Sequence, residues 1–558
     1  MTVADFIADF FYKRNVKNIY MLSGTGSVIL DDAFARKTGM KYICARHEAT
    51  AVIMAEAESK LTNDISVAVV TTGPGGTNAM SGVIEAWVDS TPVFVISGQV
   101  EKKQIINDRA FGIQGFNIID NVKNFTKYCA LVDDPKLIRY HLEKAYYYCK
   151  KGRPGPVWLD IPMDLQGHII DEDNLVPFIP SEKFETKNID ESIEKIEYLI
   201  HLLSNSKTPL VAFGQGIKLS NTQNELEYFL NKLHIPSISA RMGNDVLDND
   251  HLNYYGMGGI RGTVYAAKIM QSADLFLCLG SSSCHTFLGD NGTILSEGCK
   301  KIYINIDETL FGRPDLTIDL GIQIDLRNFF DIIIPKLNSI ENNLSFIEWN
   351  NKCQEIKKTY SIVDKIHKND VINSYIFIDE LSKYTNEKHI FVNDAGSSNY
   401  ISSQVLKFKK GQKELTSGAF YTMGLTLPLA IGAAVSTPDA QVLAVTGDGS
   451  IELNIQELQT INLNNLNIKI FVINNGGYAS IRASQDSMCG GRYTDSEQIL
   501  NFEKVADAFN LDFEIINSYD DFSRIIPNVL SNDRPTIIEV VCDSNQNMVL
   551  PFKELNNG

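Results

Sequence analysis

The sequence has no long apolar run, no cysteine cluster and no leading basic segment, and each absence excludes a class of protein. None of its apolar stretches approaches the ~20 residues that span a bilayer. Its nine cysteines are scattered, without a Cys-x-x-Cys pair or zinc-type spacing, so we expect reduced thiols in a cytoplasmic protein. The first 15 residues mix acidic with apolar residues, which is typical of an amphipathic helix rather than a signal peptide.

Basic residues are also too few for a partner with a phosphate backbone. The chain has 51 Lys and Arg against 68 Asp and Glu, a net charge of −17 that is spread along its length. Binding of nucleic acid or of an anionic membrane needs clustered cations, so we expect neither partner. The length of 558 residues predicts about three domains, since one core rarely serves more than ~250–300 residues.

Short apolar runs alternate with helix-like segments, which is the pattern of parallel sheets covered by helices on both faces. The predicted strands are 18–22, 41–45, 66–72, 92–98, 156–162, 209–216, 274–281, 301–307, 389–396, 441–449, 468–475 and 536–542. We therefore predict an α/β chain of three doubly wound parallel-sheet domains. Their expected bounds are 1–170, 189–335 and 370–548, with linkers over about 164–188 and 335–369, the second of them polar and helical.

Glycines, hydroxyls and amides follow several of these strands, at the edge where open α/β sheets bind ligands. The strand ends read TTGPGGTN, NDAGSSN, TGDGS and INNGGY. Asp448 offers a carboxylate and Asn475 an amide oxygen, and together with carbonyl and phosphate oxygens they suit the octahedral shell of Mg²⁺. Each motif alone also fits a tight turn or a helix cap. After neighbouring strands and at this spacing, they predict a metal–diphosphate site.

Five motifs in order make the chain resemble the acetolactate synthase-like branch of the thiamine diphosphate-dependent enzymes, from residue 1 to about 545. They are RHEATA (46–51), GPGGTN (73–78), GRPGPVWLDIP (152–162), SGAFYTMG (417–424) and GDGSIELNIQEL (447–458), the last followed by Asn474–Asn475. The resemblance implies a pyrimidine-binding domain, a central domain and a diphosphate-binding domain, with thiamine diphosphate and Mg²⁺ as cofactors.

The resemblance also implies roles for particular residues. The Mg²⁺ ligands would be the side chains of Asp448 and Asn475 and the main-chain oxygen of Gly477. Met423 would be an apolar wedge under the bent cofactor, with backbone groups of Tyr421 and Met423 on its aminopyrimidine ring. The whole cofactor-binding set is Glu48, Gly396, Ser397, Ser398, Tyr421, Met423, Gly447, Asp448, Gly449, Ser450, Asn475, Gly477 and Tyr478.

Glu48 matches the family's catalytic acid. Its carboxyl would hydrogen-bond the pyrimidine N1′ and favour the imino tautomer, whose N4′ takes the proton from the thiazolium ring, and an apolar pocket would help the carboxyl share its proton. Taken alone, Glu48 also fits a simple helix N-terminus, where an acid complements the dipole. Gln114, Lys127 and Arg482 match family residues near substrate, and each is equally compatible with an ordinary surface group.

The sequence departs from the family in two places. True acetohydroxyacid synthases carry a tryptophan where Ser484 stands, so a larger or more polar acceptor is expected and branched-chain amino acid synthesis is disfavoured. In the central domain, GMGGIRGT (256–263) resembles the FAD-cradling segment, but Ser282 and Thr286 replace arginines that would meet FAD phosphates. A central domain without FAD is therefore favoured over one with it.

The leading hypothesis is a decarboxylase–carboligase that transfers an acyl-anion equivalent from pyruvate or a similar 2-oxo acid to a carbonyl acceptor, with a keto-sugar nucleotide as one candidate. A simple 2-oxo acid decarboxylase and a C–C hydrolase of a cyclic diketone are the alternatives. A non-catalytic relative has no need of Glu48, Asp448 and Asn475. A nicotinamide dehydrogenase would need a strand-linked G-x-G-x-x-G with an acid about 20 residues on. The resemblance implies a homodimer or homotetramer with active sites at the subunit interface.

Overall fold

The computed structural model describes residues 1–106, 114–180, 189–339, 344–366, 368–494 and 500–551. Three six-stranded parallel sheets follow one another along the chain, each flanked by helices. The predicted fold class is thus confirmed. Residues 181–188 of the first predicted linker lie outside the described residues.

The N-terminal sheet has the strand order β2-β1-β3-β4-β6-β5. Its strands are β1 (Asn18–Met21), β2 (Lys41–Cys44), β3 (Ser66–Val70), β4 (Val93–Gln99), β5 (Tyr128–Leu131) and β6 (Val157–Pro162). The accompanying helices are α1 (Val3–Tyr12), α2 (Val28–Arg36), α3 (Glu48–Thr62), α4 (Pro74–Val88), α5 (Ile119–Val122), α6 (Ile138–Lys150) and α7 (Met163–Gln166).

The central sheet has the order β12-β11-β10-β7-β8-β9. Its strands are β7 (Pro209–Phe213), β8 (Ser237–Ser239), β9 (Tyr254–Met257), β10 (Leu275–Leu279), β11 (Lys300–Asn305) and β12 (Leu320–Gln323). Its helices are α8 (Ile189–Asn205), α9 (Gly216–Leu219), α10 (Gln223–Leu233), α11 (Val264–Ser272), α12 (His285–Leu288), α13 (Leu326–Asn338) and α14 (Ile347–Thr359).

The C-terminal sheet has the order β14-β13-β15-β16-β18-β17. Its strands are β13 (His389–Asn393), β14 (Lys413–Leu415), β15 (Gln441–Gly447), β16 (Ile468–Asn474), β17 (Asp512–Ile516) and β18 (Thr536–Val541). Its helices are α15 (Ser374–Lys383), α16 (Gly396–Val405), α17 (Thr426–Ser436), α18 (Asp448–Ile451), α19 (Leu458–Leu463), α20 (Ala479–Met488), α21 (Phe502–Ala508) and α22 (Phe522–Leu530).

The first and third sheets share one topology. Counted within each domain, both have the order 2-1-3-4-6-5 with parallel pairing throughout. The chain leaves the first and third strands in opposite directions across the sheet, and a crevice opens between them at the carboxyl edge. In the C-terminal domain this switch point lies between β13 and β15, where the segments beginning at Gly396 and Asp448 follow the strands.

The second predicted linker is wrong in part. Pro335 lies inside α13, and α14 packs on the central domain rather than passing between domains. Its Trp349 indole donates to the Pro209 carbonyl at 3.1 Å, and Cys353 is fully buried in the central core. The apolar spacing of these two side chains outweighs the polar composition of the segment.

The N- and C-terminal domains share a continuous core. Helices α3 and α17 pack so closely that a Cβ on Gly432 would lie 2.2 Å from the Met54 carbonyl oxygen, which requires glycine there. The Glu457 carboxylate accepts from the Arg46 backbone at 2.8 Å and from the Thr50 hydroxyl at 2.6 Å. These contacts fix the start of α3, and with it Glu48, relative to the C-terminal sheet.

Candidate cofactor site

The Asp448 carboxylate lies at the carboxyl end of β15 and is oriented by backbone amides. It is 1% exposed, and its Oδ2 accepts from the N–H groups of Asn475 (3.1 Å) and Gly477 (2.8 Å). Its Oδ1 accepts from Gly449 N–H at 2.8 Å. Burial raises the pKa of Asp448, while the backbone donors oppose that rise. The loops after β15 and β16 are therefore joined through one carboxylate.

Asn475 provides a buried oxygen that lacks a partner in the described part of the chain. Its Oδ1 accepts no hydrogen bond, while its Nδ2 lies 3.4 Å from Ser397 Oγ. Because an unpaired buried amide oxygen is unfavourable, this atom is well suited to ligate a metal ion. The Gly477 carbonyl accepts from Ala479 N–H at 2.9 Å and keeps a second lone pair. A carboxylate, an amide oxygen and a carbonyl fit Mg²⁺, which prefers oxygen ligands and usually retains phosphate oxygens or waters.

Two glycines border open space beside these oxygens. A Cβ on Gly447 would meet no atom within 4 Å, and one on Gly396 would meet only Ser480 Oγ at 3.8 Å. Gly396 has a φ of +76° and begins the ten-residue helix α16, whose first amides are free of helical partners. This cradle fits a diphosphate, since helix N-termini and exposed amides stabilise anions. Gly449 serves packing instead, because a Cβ there would lie 2.4 Å from the Tyr478 ring.

The loop from 416 to 424 lies against the cradle. Ser450 Oγ accepts from Gly424 N–H at 3.0 Å, so this predicted diphosphate ligand also positions the loop. Tyr421 has a φ of +55°, and its N–H donates to Ser417 Oγ at 2.8 Å. The loop therefore brings Tyr421 and Met423 beside the predicted diphosphate residues. Ser398 is buried, and its hydroxyl donates to the Ala395 carbonyl at 3.3 Å.

Glu48 lies on the N-terminal domain, at the carboxyl edge of its sheet. It is the first residue of α3 and is 8% exposed. Asn78 Nδ2 donates to its Oε2 at 3.0 Å, and a Cβ on Gly75 would lie 3.6 Å from Oε1. These contacts come from the N-terminal domain, and a role for Glu48 at the pyrimidine end of the cofactor stays a prediction.

Gln114 lies at the same edge of the sheet, beside a buried polar network. Gly73 allows its close approach, because a Cβ there would lie 2.5 Å from Gln114 Cβ. The Thr72 hydroxyl donates to Gln99 Oε1 at 2.7 Å, and Gln99 Nε2 donates to Asp160 Oδ2 at 2.9 Å. Asp160 is fully buried, and burial raises its pKa to about 7 against the hydrogen bonds it accepts. Gln114 itself is exposed, with a φ of +64°.

Lys127 lies at the opposite edge of the N-terminal sheet. It precedes β5, whereas Glu48 follows β2, and all strands of this sheet run in parallel. Its ammonium donates to the carbonyls of Lys151 and Arg153, and burial lowers its pKa to about 8. Within one chain the structure thus separates Lys127 from Glu48 and Gln114, so a substrate role for it stays a prediction.

Arg482 lies near the candidate metal site formed by Asp448, Asn475 and Gly477, but its guanidinium contacts protein backbone. Its Nη1 donates to the Gly476 carbonyl at 2.6 Å and its Nη2 to the Asn475 carbonyl at 2.7 Å. It is buried and holds the loop that carries the Asn475 amide and the Gly477 carbonyl. A contact with substrate carboxylate therefore stays a prediction. Ser484, two residues further along α20 and on its opposite face, is exposed, and its hydroxyl donates to the Ser480 carbonyl.

The sequence did not identify residues that orient other side chains or backbone groups of the site. Asn78 orients Glu48 and falls within the quoted GPGGTN motif, which is the signal that identifies it. Asp394 follows β13 and accepts from Ala395 N–H at 2.7 Å and from the Thr446 hydroxyl at 3.0 Å. Its position after a strand, like that of Asp448, was the available signal.

A cavity of about 400 Å³ opens beyond the carboxyl ends of the central strands and reaches the loop at Tyr421. The arginines of its lining have partners inside the protein: Arg153 pairs with Asp307, Arg241 with Glu414, and Arg261 lies over the Tyr400 ring. Hydroxyls of Ser281, Ser282, Ser283 and Thr286 also line the cavity, together with Lys150, which pairs with Asp64, and Lys151. Whether FAD binds here stays a prediction.

Three family models match the chain in the order of its sheets. They describe the thiamine pyrophosphate enzyme N-terminal TPP binding domain (residues 1–123), central domain (196–333) and C-terminal TPP binding domain (394–540). The chain therefore belongs to the thiamine pyrophosphate (thiamine diphosphate) enzyme family, and it is a thiamine diphosphate-dependent enzyme.

Individual relatives indicate the branch. The acetolactate synthase large subunit of Cyanidium caldarium is 30% identical over 562 residues, which cover 98% of this chain and 94% of that protein. The large subunit of Lactococcus lactis subsp. lactis (strain IL1403) is 29% identical, with 96% and 92% covered. The chloroplastic acetolactate synthase of Arabidopsis thaliana is 28% identical, with 98% and 82% covered. The predicted acetolactate synthase-like branch, with its family-level carboligase function, is confirmed. Within the described residues, no helix is both long and apolar enough to cross a membrane.

Proposed function

We propose that this chain binds thiamine diphosphate through Mg²⁺ and joins an acyl group from pyruvate, or a similar 2-oxo acid, to a carbonyl acceptor. The observation that carries this proposal is the unpaired Asn475 Oδ1 beside Asp448, bordered by the open space over Gly447 and Gly396. The bound cofactor would accept the electron pair that is released when a 2-oxo acid loses CO₂.

The protein's own groups have distinct tasks in this proposal. Asp448, Asn475 and the Gly477 carbonyl hold the metal, while Gly396 and Ser397 donate backbone or hydroxyl hydrogen bonds to the diphosphate. Glu48 shares a proton with the pyrimidine N1′, and the Asn78 contact keeps its carboxyl in place. Met423 and Tyr421 seat the cofactor between the two ends of the site.

A second copy of the chain completes the site. In one chain, the contacts described for the Glu48 carboxylate come from the N-terminal domain. The candidate metal site lies on the C-terminal sheet. Apolar side chains of this domain are exposed, namely Phe420 (45%), Leu453 (49%) and Ile481 (52%). We infer that Glu48 of one copy faces the diphosphate residues of another, in a homodimer or homotetramer.

The acceptor is expected to be larger or more polar than a second 2-oxo acid, with a keto-sugar nucleotide as the candidate. The support is the small, exposed side chain of Ser484 on α20. A cavity of about 400 Å³ that reaches Tyr421 offers further room for a large acceptor. We also propose that this cavity lacks FAD, because its arginines have protein partners. Flavin absorbance in the purified protein would contradict that part.

Product analysis separates the candidate reactions. The enzyme, loaded with thiamine diphosphate and Mg²⁺, is incubated with pyruvate alone and with pyruvate plus a carbonyl acceptor. A carboligase gives a new hydroxyketone that contains both carbon skeletons. A simple decarboxylase gives only acetaldehyde in both reactions. A C–C hydrolase leaves pyruvate intact and cleaves a cyclic 1,2-diketone.

A further inference from the structure

A group of four buried charged side chains lies beneath the loop that carries Tyr421 and Met423. Glu56 and Lys60 belong to α3, and Glu85 and Asp89 lie at the end of α4. Lys60 Nζ is 2.8 Å from both Glu56 Oε1 and Asp89 Oδ2, and its side chain is only 6% exposed. We call these four residues the α3–α4 charge cluster. It places one ammonium against three carboxyls in the interior.

The cluster contacts the loop at three points. Lys60 Nζ donates to the Thr416 carbonyl at 3.0 Å. Asp89 accepts from Gly418 N–H at 3.0 Å and 3.1 Å through its two oxygens. The Thr422 hydroxyl donates to Glu85 Oε2 at 2.7 Å. The last contact is adjacent to both Tyr421 and Met423, and it crosses from the N-terminal to the C-terminal domain.

This composition is unfavourable for stability alone. Burial and the nearby Asp89 charge raise the pKa of Glu85, and burial raises that of Glu56 to about 8 against the attraction of Lys60. The charges that face each carboxyl are the other members of the cluster. A buried acid without its own cation lowers stability unless it accepts hydrogen bonds, and apolar residues of similar size often serve as well. The bonds to the loop explain why Glu85 and Asp89 are acids.

Helix α4 also orients Glu48. Asn78 and Glu85 are seven residues apart, so they lie on one face of α4, two turns from each other. Asn78 holds the Glu48 carboxylate and Glu85 holds the Thr422 hydroxyl. One helix therefore contacts both the catalytic acid and the 416–424 loop of its own chain, which in the shared arrangement proposed above serve two neighbouring sites.

We propose that Glu85 and Asp89 are positioning residues that hold the Thr416–Gly424 loop in the shape that receives the aminopyrimidine ring. This inference rests on thiamine diphosphate being the cofactor. In this proposal the Glu85–Thr422 hydrogen bond strengthens cofactor binding, although Glu85 does not contact the cofactor.

The test compares Thr422→Val, which removes the hydroxyl at nearly constant shape, with Thr422→Ser, which retains it. Calorimetry with saturating Mg²⁺ gives the thiamine diphosphate dissociation constant, and the thermal midpoint of the cofactor-free protein gives stability. We expect Thr422→Val to weaken binding about tenfold, as for a hydrogen bond to a charged group. Thr422→Ser should bind within about twofold of wild type and keep its thermal midpoint. Thr422→Val leaves a buried Glu85 oxygen without its donor, so its thermal midpoint should fall slightly, and affinities are compared at a temperature where all three proteins are folded.

A double variant checks the assigned partner. Glu85→Gln with Thr422→Val should bind no more weakly than the weaker single variant, because the two changes remove one interaction. Wild-type affinity in Thr422→Val, equal loss in Thr422→Ser, or additive losses in the double variant would overturn the inference. Failure of the wild-type protein itself to bind would instead contradict the cofactor assignment.

Discussion

The Asn475 N–H donates to Asp448 Oδ2 at 3.1 Å, although the two residues are 27 positions apart. They meet because β15 and β16 are parallel neighbours, with Gly447 opposite Ile473 in the register. One carboxylate thereby fixes the loop that carries the Asn475 amide oxygen. The geometry of the proposed metal site is thus set by hydrogen bonds within the protein itself.

Gly447→Ala should selectively weaken cofactor binding. A Cβ there enters open space in the cradle, and the glycine has a φ of −84°, so alanine introduces no backbone strain. Gly312→Ala is the matched control, because its Cβ also meets nothing within 4 Å but lies in the central domain. Both variants should keep or slightly raise the thermal midpoint. Calorimetry should show reduced thiamine diphosphate affinity only for Gly447→Ala, and equal affinities would contradict the cradle.

Glu48→Gln should separate binding from turnover. The amide keeps the shape and a hydrogen bond to Asn78 but cannot share a proton with the pyrimidine nitrogen. General acid–base groups contribute about 10²–10⁴-fold, so kcat with pyruvate should fall in that range. The thiamine diphosphate dissociation constant should change far less. A kcat near the wild-type value would remove Glu48 from its assigned role.

The described part of the chain contains all twelve predicted strands and six further strands that were not predicted. Five of the six lie at sheet edges, namely β5, β9, β12, β14 and β17, and the sixth, β8, is next to an edge. Central strands are covered on both faces and read as continuous apolar runs, whereas edge strands such as Lys413–Leu415 are short and partly polar. Apolar patterning alone therefore finds the middle of each sheet.

Site residues that directly follow strands could be predicted from the sequence. The contacts of residues such as Arg482 and Lys127 could not, because they depend on tertiary structure. Asp448 and Asn475 could be placed together because parallel strands end at one edge. Nothing in the local sequence shows that Arg482 contacts the carbonyls of its own loop, or that Lys127 donates to carbonyls at the far edge. Those partners depend on how the loops after β16 and before β6 fold back.

Asp160→Asn should alter how stability depends on pH. The folded protein holds this proton up to pH about 7, whereas an unfolded Asp releases it near 3.8. Protonation thus favours the folded state, and the wild-type stability gained at low pH is lost as pH rises from about 4 to about 7. The thermal midpoint of Asp160→Asn should fall less than that of wild type over this interval. Parallel curves would contradict the raised pKa.

Mixing two inactive chains tests whether active sites are shared. Glu48→Gln and Asp448→Asn damage opposite ends of the site. In a hybrid dimer, one site receives both defects and the other receives neither. Random pairing should restore about a quarter of wild-type activity, as expected for a symmetric pair with sites at its interface. Activity no higher than that of the separate variants would place both residues in one chain's site.

Titration of the protein with thiamine diphosphate in a calorimeter, with Mg²⁺ and with a chelator, shows whether the cofactor is held through a metal at Asp448. Asp448→Asn serves as the test variant and Asp439→Asn, an exposed acid of the same domain, as its control. The account predicts saturable binding by wild type and Asp439→Asn that depends on Mg²⁺, and loss of that binding in Asp448→Asn. Binding by Asp448→Asn equal to wild type, or no binding by the wild-type protein with Mg²⁺, would contradict it.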